Sequence, residues 1–223
     1  MKTVLVTGGT IRLGRAIAER LRADGWRVIT SSHRADAEAD IVANLAEPMG
    51  AAKLYAAALQ MLGGTPPDAL VNNAALFTGD EVAIRAVGFE APKKLTMMMA
   101  GREEGVGAVV NILDSKILGN SRDDSIGHRS IGASEHPSMY GQAKLDLLEW
   151  TRKAAMQFAA TLRVNGVAPG PVLAPTAVHE KAGETLLDRR PTPADVAAAV
   201  AYLLGAESVT GTIIPVDAGQ HLM

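Results

Sequence analysis

The chain has no cysteine among its 223 residues, which removes disulfides and thiolate metal ligands and suits a reducing compartment. Its five histidines (His33, His128, His136, His179 and His221) are scattered, with no pair spaced to put two ligands on one helix face, so no metal centre is expected. Charge of one sign is also missing: a net charge of −2 provides no basic field for nucleic acid. No apolar run reaches the roughly 20 residues needed to cross a bilayer. Nothing resembles a signal peptide, because Lys2 leads straight into an apolar strand and a glycine turn. A soluble, cytoplasmic protein is expected. Aromatics make up only 4% of the chain, and with three phenylalanines in all a core or lid role competes with any binding role for Phe77.

What is present is an alternation. Val4-Leu5-Val6 is a short apolar run ending in Thr-Gly-Gly, the pattern of a buried parallel strand. Leu13–Ala23 follows, with Leu13, Ile17 and Leu21 at helical spacing and Asp24-Gly25 as its stop. Trp26–Thr30 is a second strand, which completes a βαβ unit. Helices are expected over 49–62, 138–160 and 195–204, and over 82–100 with Gly88 and Pro92 interrupting the pattern. Further strands are expected at 69–71, 108–113, 162–167 and 212–216. This order predicts the α/β class: one doubly wound domain over 1–223, with a parallel sheet of about seven strands. Stretches 115–137 and 171–193 lack periodicity and follow strand ends. That is the edge where open α/β sheets bind ligands, which marks both as substrate loops.

Thr7 to Gly14, TGGTIRLG, forms the strand-to-helix turn. Gly8 and Gly9 allow a sharp turn, Gly14 allows close packing, and the helix start offers N–H groups to an anion. Alone, the turn is equally compatible with no ligand. Arg12 stands where a dinucleotide site would carry its middle glycine; the plain alternative is a surface arginine at a helix start. The second strand ends in Ser31-Ser32-His33-Arg34. NAD sites place an acidic residue there for the ribose 2′-OH, whereas a basic pair suits the 2′-phosphate of NADP in preference to a solvated turn. Tyr140 and Lys144 stand four apart on an expected helix, so phenol and ammonium share a face. A nearby cation favours the phenolate, which would bring a tyrosine into range as a proton donor near neutral pH. An isolated pair of this kind is more often an ordinary surface contact.

Several segments occur together and in order: TGGTIRLG, Asn72-Asn73-Ala74, Val109-Val110-Asn111-Ile112, Tyr140 with Lys144, Asn165-Gly-Val-Ala-Pro-Gly170, and Thr210-Gly211 before Val216-Asp217. In this combination the chain resembles the short-chain dehydrogenase/reductases from residue 3 to 222. The resemblance implies a Rossmann-like domain, an NADP(H) cofactor and hydride transfer. It implies that Tyr140 donates a proton, and that Lys144 binds the nicotinamide ribose and lowers the tyrosine pKa. Cofactor contacts are implied at Gly8, Thr10, Arg12, Leu13 and Gly14, at His33 and Arg34, and at Asn44 and Leu45. The same holds for Asn73, Ala74 and Ala75, for Tyr140 and Lys144, and for Pro169 and Gly170. A homo-oligomer, tetramer or dimer, is also implied, packed through the helix over 138–160. The small residues Ala143, Ala154, Ala155 and Ala159 are compatible with close approach of a copy.

Two features are similar to the pteridine reductase and dihydromonapterin reductase branch: Arg12-Leu13-Gly14 in the turn, and Asp114 where the wider family carries serine. Phe77 matches the place from which that branch stacks an aromatic on the pterin. The branch resemblance implies Asp114 as a catalytic residue beside Tyr140 and Lys144, and Arg12, Phe77, Asp114 and Tyr140 as substrate contacts. The expected activity is NADPH-dependent reduction of a small planar substrate of the dihydropterin or dihydrofolate type. One alternative is a carbonyl reductase or alcohol dehydrogenase with the same core; another is a non-catalytic NADP-binding regulatory protein. Gly88 departs from the pattern, standing where the family has a helix asparagine that serves its proton relay. Met97-Met98-Met99 is either a plastic binding surface or, more commonly, core filling.

Overall fold

A computed structural model describes residues 1–35, 38–77, 79–103, 105–119, 138–172 and 185–223. The larger part of both expected substrate loops, 120–137 and 173–184, lies outside the described residues. Seven strands are described: β1 (Thr3–Thr7), β2 (Arg27–Ser32), β3 (Ile41–Val42), β4 (Ala69–Asn72), β5 (Gly107–Ile112), β6 (Leu162–Pro169) and β7 (Ile213–Val216). They form one sheet in the order β3-β2-β1-β4-β5-β6-β7, parallel at every pairing.

The central strands are largely apolar and buried because helices cover both faces of the sheet. On one face pack α1 (Arg12–Ala23) and α6 (Pro193–Gly205); on the other pack α2 (Gly50–Met61), α4 (Ala91–Ala100) and α5 (Met139–Gln157). Alternation along β1 feeds both cores, Leu5 joining one while Val4 and Val6 join the other. The start of α6 is fixed by a capping box between Thr192 and Asp195, with Pro193 in the first turn where its missing N–H is harmless.

Three sequence expectations change. The two-residue β3 was too short to show a period. The helix over 82–100 is not interrupted: α3 (Glu81–Arg85) continues through a π turn at Ala86–Glu90 into α4. Pro92 has no N–H and would crowd the carbonyl four residues earlier in a regular helix; the wider turn, in which Ala91 N–H reaches back to Ala86 O, gives it room. The alanine face of α5 is largely used within the chain. Ala154 and Ala155 belong to its own core, and Ala143 faces Gly88 of the π turn. Of the methionine run, Met99 is fully buried and Met98 packs on the same core, which is core filling, while Met97 is exposed.

Candidate active site

All the expected site residues gather along the C-terminal edge of the sheet. The strand order reverses between β1 and β4, and such a reversal opens a ligand crevice. Polar contacts tie this crevice shut at its base. Thr7 Oγ1 accepts from the backbone N–H groups of Asn73 and Ala74, both at 3.0 Å. Asn73 Nδ2 donates to Thr7 O at 3.0 Å and to Gly8 O at 3.1 Å. Gly14 lies against the Gly8 carbonyl, where any side chain would collide, so helix α1 starts directly over the end of β1. Arg12 takes φ +50°, the left-handed region that a glycine enters freely. Arg12 nevertheless holds that conformation, and the residue is exposed.

His33 and Arg34 follow β2 and are exposed, with Arg34 N–H donating to Ser32 Oγ at 3.1 Å. Asn44, past β3, is exposed and turns its Oδ1 onto Ala46 N–H at 3.1 Å. The Leu45 side chain is buried in the core, so only its backbone can face a ligand. Thr10, Leu13, Ala74 and Ala75 are half-buried along the crevice. At the other end, Pro169 closes β6 and Gly170 N–H donates to Val216 O at 3.0 Å.

The substrate side is held by side chains. Asp114 follows β5 and caps the 3-10 turn Ser115–Leu118, its Oδ1 accepting from Lys116 N–H at 3.0 Å. Its Oδ2 accepts from the Tyr140 hydroxyl at 3.2 Å. Ser138 caps α5 through Gly141 N–H at 3.2 Å, which places Tyr140 in the first turn. Phe77 lies 4.8 Å from the Tyr140 ring, tilted by 34°. It is 63% exposed, which excludes a core role. Lys144, 2% exposed, donates from Nζ to Ile112 O at 2.6 Å and sits 5.7 Å from the Tyr140 ring centroid. Phe77, Asp114, Tyr140 and Lys144 thus form one cluster, while Arg12, His33, Arg34 and Asn44 lie at other strand ends.

The electrostatics reverse one expectation. The phenol is not lowered overall. Burial, and then the neighbouring Asp114 carboxylate, push the Tyr140 hydroxyl above the ordinary phenol range. The Lys144 ammonium is turned onto a backbone carbonyl, and burial pushes it down to about 8, with Asp114 partly opposing. Tyr140 therefore holds its proton firmly, aimed at a carboxylate, and Lys144 is a cation able to titrate near neutral pH.

Several polar contacts were not foreseen. Asn72 Nδ2 donates to Asn111 Oδ1 at 2.8 Å, Asn111 Nδ2 to Thr151 Oγ1 at 2.9 Å, and Thr151 Oγ1 to Leu147 O at 2.7 Å, all buried. The one signal for them was asparagine at the ends of otherwise apolar strands. Gly88 sits in the π turn with Ala143 Cβ at 3.1 Å from where its own Cβ would stand, so a longer side chain would press on α5. Ser115 Oγ donates to Gln220 Oε1 at 3.1 Å across 105 positions of sequence, a contact that no local pattern announces. Among the described residues no group of three His, Cys, Asp or Glu side chains could hold a metal ion. No helix there is long and apolar enough to cross a membrane.

A family model described as enoyl-(acyl carrier protein) reductase matches residues 12–221. The chain belongs to the short-chain dehydrogenase/reductase family. Levodione reductase of Leifsonia aquatica is 29% identical over 98% of this chain and 94% of that protein. Among solved structures, FolM alternative dihydrofolate reductase 1 from Brucella canis, complexed with NADP, has a TM-score of 0.81 and 29% identity, covering 100% of this chain and 95% of that one. A blue fluorescent protein from a metagenomic library, in complex with NADPH, has a TM-score of 0.82 and 27% identity, covering 98% and 97%. The Brucella neighbour fits the resemblance to the pteridine reductase branch. This short-chain dehydrogenase/reductase is an NADP-dependent oxidoreductase, with the family's parallel sheet and its tyrosine and lysine on one helix.

Proposed function

We propose that this chain is an NADPH-dependent reductase of a small planar heterocycle, of the dihydropterin or dihydrofolate type. The observation that carries the reading is the hydrogen bond from Tyr140 to Asp114, beside buried Lys144 and under the exposed ring of Phe77. NADP-bound and dihydrofolate reductase neighbours support it.

The crevice residues fit a dinucleotide. Gly8 and Gly14 leave the turn free of side chains, and the start of α1 carries no side-chain cap over its N–H groups. Arg12 would hold the pyrophosphate and reach the substrate's polar edge. His33 and Arg34 would take a 2′-phosphate, and Asn44 with the Leu45 backbone would border the adenine. Asn73, Ala74 and Ala75 would line the middle of the cofactor, and Pro169 and Gly170 its nicotinamide end. NADPH, when bound, supplies a hydride.

The chain's own groups handle position and protons. Phe77 offers an aromatic face to a flat substrate, with stacking worth about 1 kcal/mol beyond burial. Tyr140 Oη carries the proton that the reduced substrate atom requires, and its raised pKa keeps that proton in place until a basic atom arrives. Asp114 Oδ2, released from Tyr140, can then accept a hydrogen bond from an amino edge of the substrate. Lys144, titrating at about 8, is placed to bind the ribose and to resupply the site with protons.

The test is NADPH consumption by the purified chain with a dihydropterin, alongside Tyr140→Phe and Asp114→Ser. Turnover lost in the first and crippled in the second is the expected result. Turnover of simple ketones but of no dihydropterin would replace the pterin reading with a carbonyl reductase, a function the levodione reductase relative makes concrete. NADPH binding with no turnover of either would leave a non-catalytic NADP-binding protein. A homo-oligomer, tetramer or dimer, and a cytoplasmic location complete the proposal; light scattering on the purified chain tests the first.

A further inference from the structure

We propose that Gln220, in the turn that follows β7, is a positioning residue for Asp114. This deepens the reductase reading above and rests on it for its kinetic consequences. Asp114 has no support from a regular element, since it stands between β5 and a four-residue 3-10 turn. Its Oδ1 is engaged by Lys116 N–H of that turn, and its Oδ2 by Tyr140. The turn must therefore be held still if the carboxylate is to keep its aim.

Ser115, the first residue of the turn, is fully buried, and its hydroxyl donates to Gln220 Oε1 at 3.1 Å. Gln220 is itself anchored. It begins a second 3-10 turn, Gln220–Leu222, built on Asp217, which is 3% exposed. Asp217 Oδ1 accepts from Gly219 N–H at 3.0 Å, and Asp217 Oδ2 accepts from His221 N–H at 2.7 Å and contacts His221 Nδ1 at 2.8 Å. Asp217 packs directly against Gly170 at the end of β6. The same small turn thus touches the loop that carries Asp114 and the loop expected at the nicotinamide end of the cofactor. A displacement of the Ser115 turn would swing Asp114 away from Tyr140 with no residue of the reacting cluster altered.

The experiment compares Gln220→Leu, Ser115→Ala and Gln220→Glu in the full chain. The first two remove the contact from either side; the third keeps an acceptor for the Ser115 hydroxyl. Two readouts are taken: kcat and KM for a dihydropterin with NADPH, and hydrogen exchange of the amides over 113–119, Lys116 above all. Gln220→Leu and Ser115→Ala are expected to lower kcat about 10-fold or more, the scale of a modest misplacement of a reacting group, while NADPH affinity and melting temperature hold. Exchange at Lys116 is expected to quicken in both, and Gln220→Glu to restore both readouts. Unchanged exchange, unchanged kcat in a chain that turns over, or equal damage from Gln220→Glu overturns the proposal. If the unaltered chain reduces no dihydropterin, the function reading fails, and the exchange comparison still decides whether Gln220 positions Asp114.

Discussion

The two halves of the crevice are built from different materials. At the ends of β1, β2 and β3 the contacts are backbone turns and exposed side chains: Arg12, His33, Arg34 and Asn44 all face solvent. At the ends of β5, β6 and β7 they are buried or half-buried side chains held by specific hydrogen bonds, Tyr140 to Asp114, Lys144 to Ile112 O and Ser115 to Gln220. The first half resembles a docking cradle whose shape is local. The second is a small polar core whose geometry depends on residues far apart in sequence. Substitutions at His33, Arg34 and Asn44 in the first half should change cofactor binding with little effect on chemistry, and those at Tyr140 and Asp114 in the second should do the reverse.

Tyr140→Phe should break this contrast most visibly. Removing the proton donor is expected to lower kcat by roughly 10²–10⁴-fold, with NADPH affinity, read by fluorescence titration, within about twofold. A matching loss of affinity would show that the halves are not separable. In the other direction, Arg34→Ala should weaken NADPH by about 10- to 100-fold, the worth of charge-assisted hydrogen bonds to a phosphate. It should leave NADH affinity and kcat unaffected; equal losses for both cofactors would remove Arg34 from the 2′-phosphate.

The buried half should also leave a signature in stability against pH. Lys144 is lowered from 10.5 to about 8 in the folded chain. Between those values the unfolded chain binds the extra proton, so stability rises with pH across that window and is lowest, from this group, below it. The penalty below the window is on the order of 3–4 kcal/mol, taking about 1.4 kcal/mol per unit. Tyr140 acts oppositely: its folded pKa is raised, so its contribution is present below pH 10 and is lost as pH rises above the ordinary phenol value. Denaturant unfolding of the native chain and of Lys144→Met from pH 7 to 10 should show the rise only in the former. The smallest effect belongs to Arg12. Its left-handed backbone carries strain of about 1 kcal/mol, so Arg12→Gly should raise unfolding stability by that order while weakening NADPH. A stability loss would mean that the guanidinium, and not the backbone, matters to the turn.

The contrast also explains what could be read from sequence. The glycine turn, the basic pair after β2 and the tyrosine–lysine spacing are local patterns, and they mark the cradle and the face of α5 directly. The parallel sheet was legible for the same reason, as apolar runs such as Val4-Leu5-Val6 alternating with periodic helices. The direction of the Tyr140 pKa was not legible, because it depends on burial and on a carboxylate 26 positions away. Gln220 and the Asn72–Asn111–Thr151 contacts were hidden likewise, since each joins strands or turns that are remote along the chain. The π turn was visible only as a disturbance, Gly88 and Pro92 in a helical stretch, with no hint that the helix would widen instead of stopping.

Thr151 has a consequence beyond its hydrogen bond. Its hydroxyl proton is committed to Leu147 O, so it can only accept from Asn111. That choice turns the Asn111 amide, which then accepts from Asn72, leaving the Asn72 carbonyl oxygen buried and without a partner among the described residues. One rotor therefore gives a sense of direction to two amides that could otherwise point either way. A valine of the same shape at 151 would erase that sense. The Asn111 amide would then keep a buried donor with nothing to receive it, at a cost of about 1–3 kcal/mol.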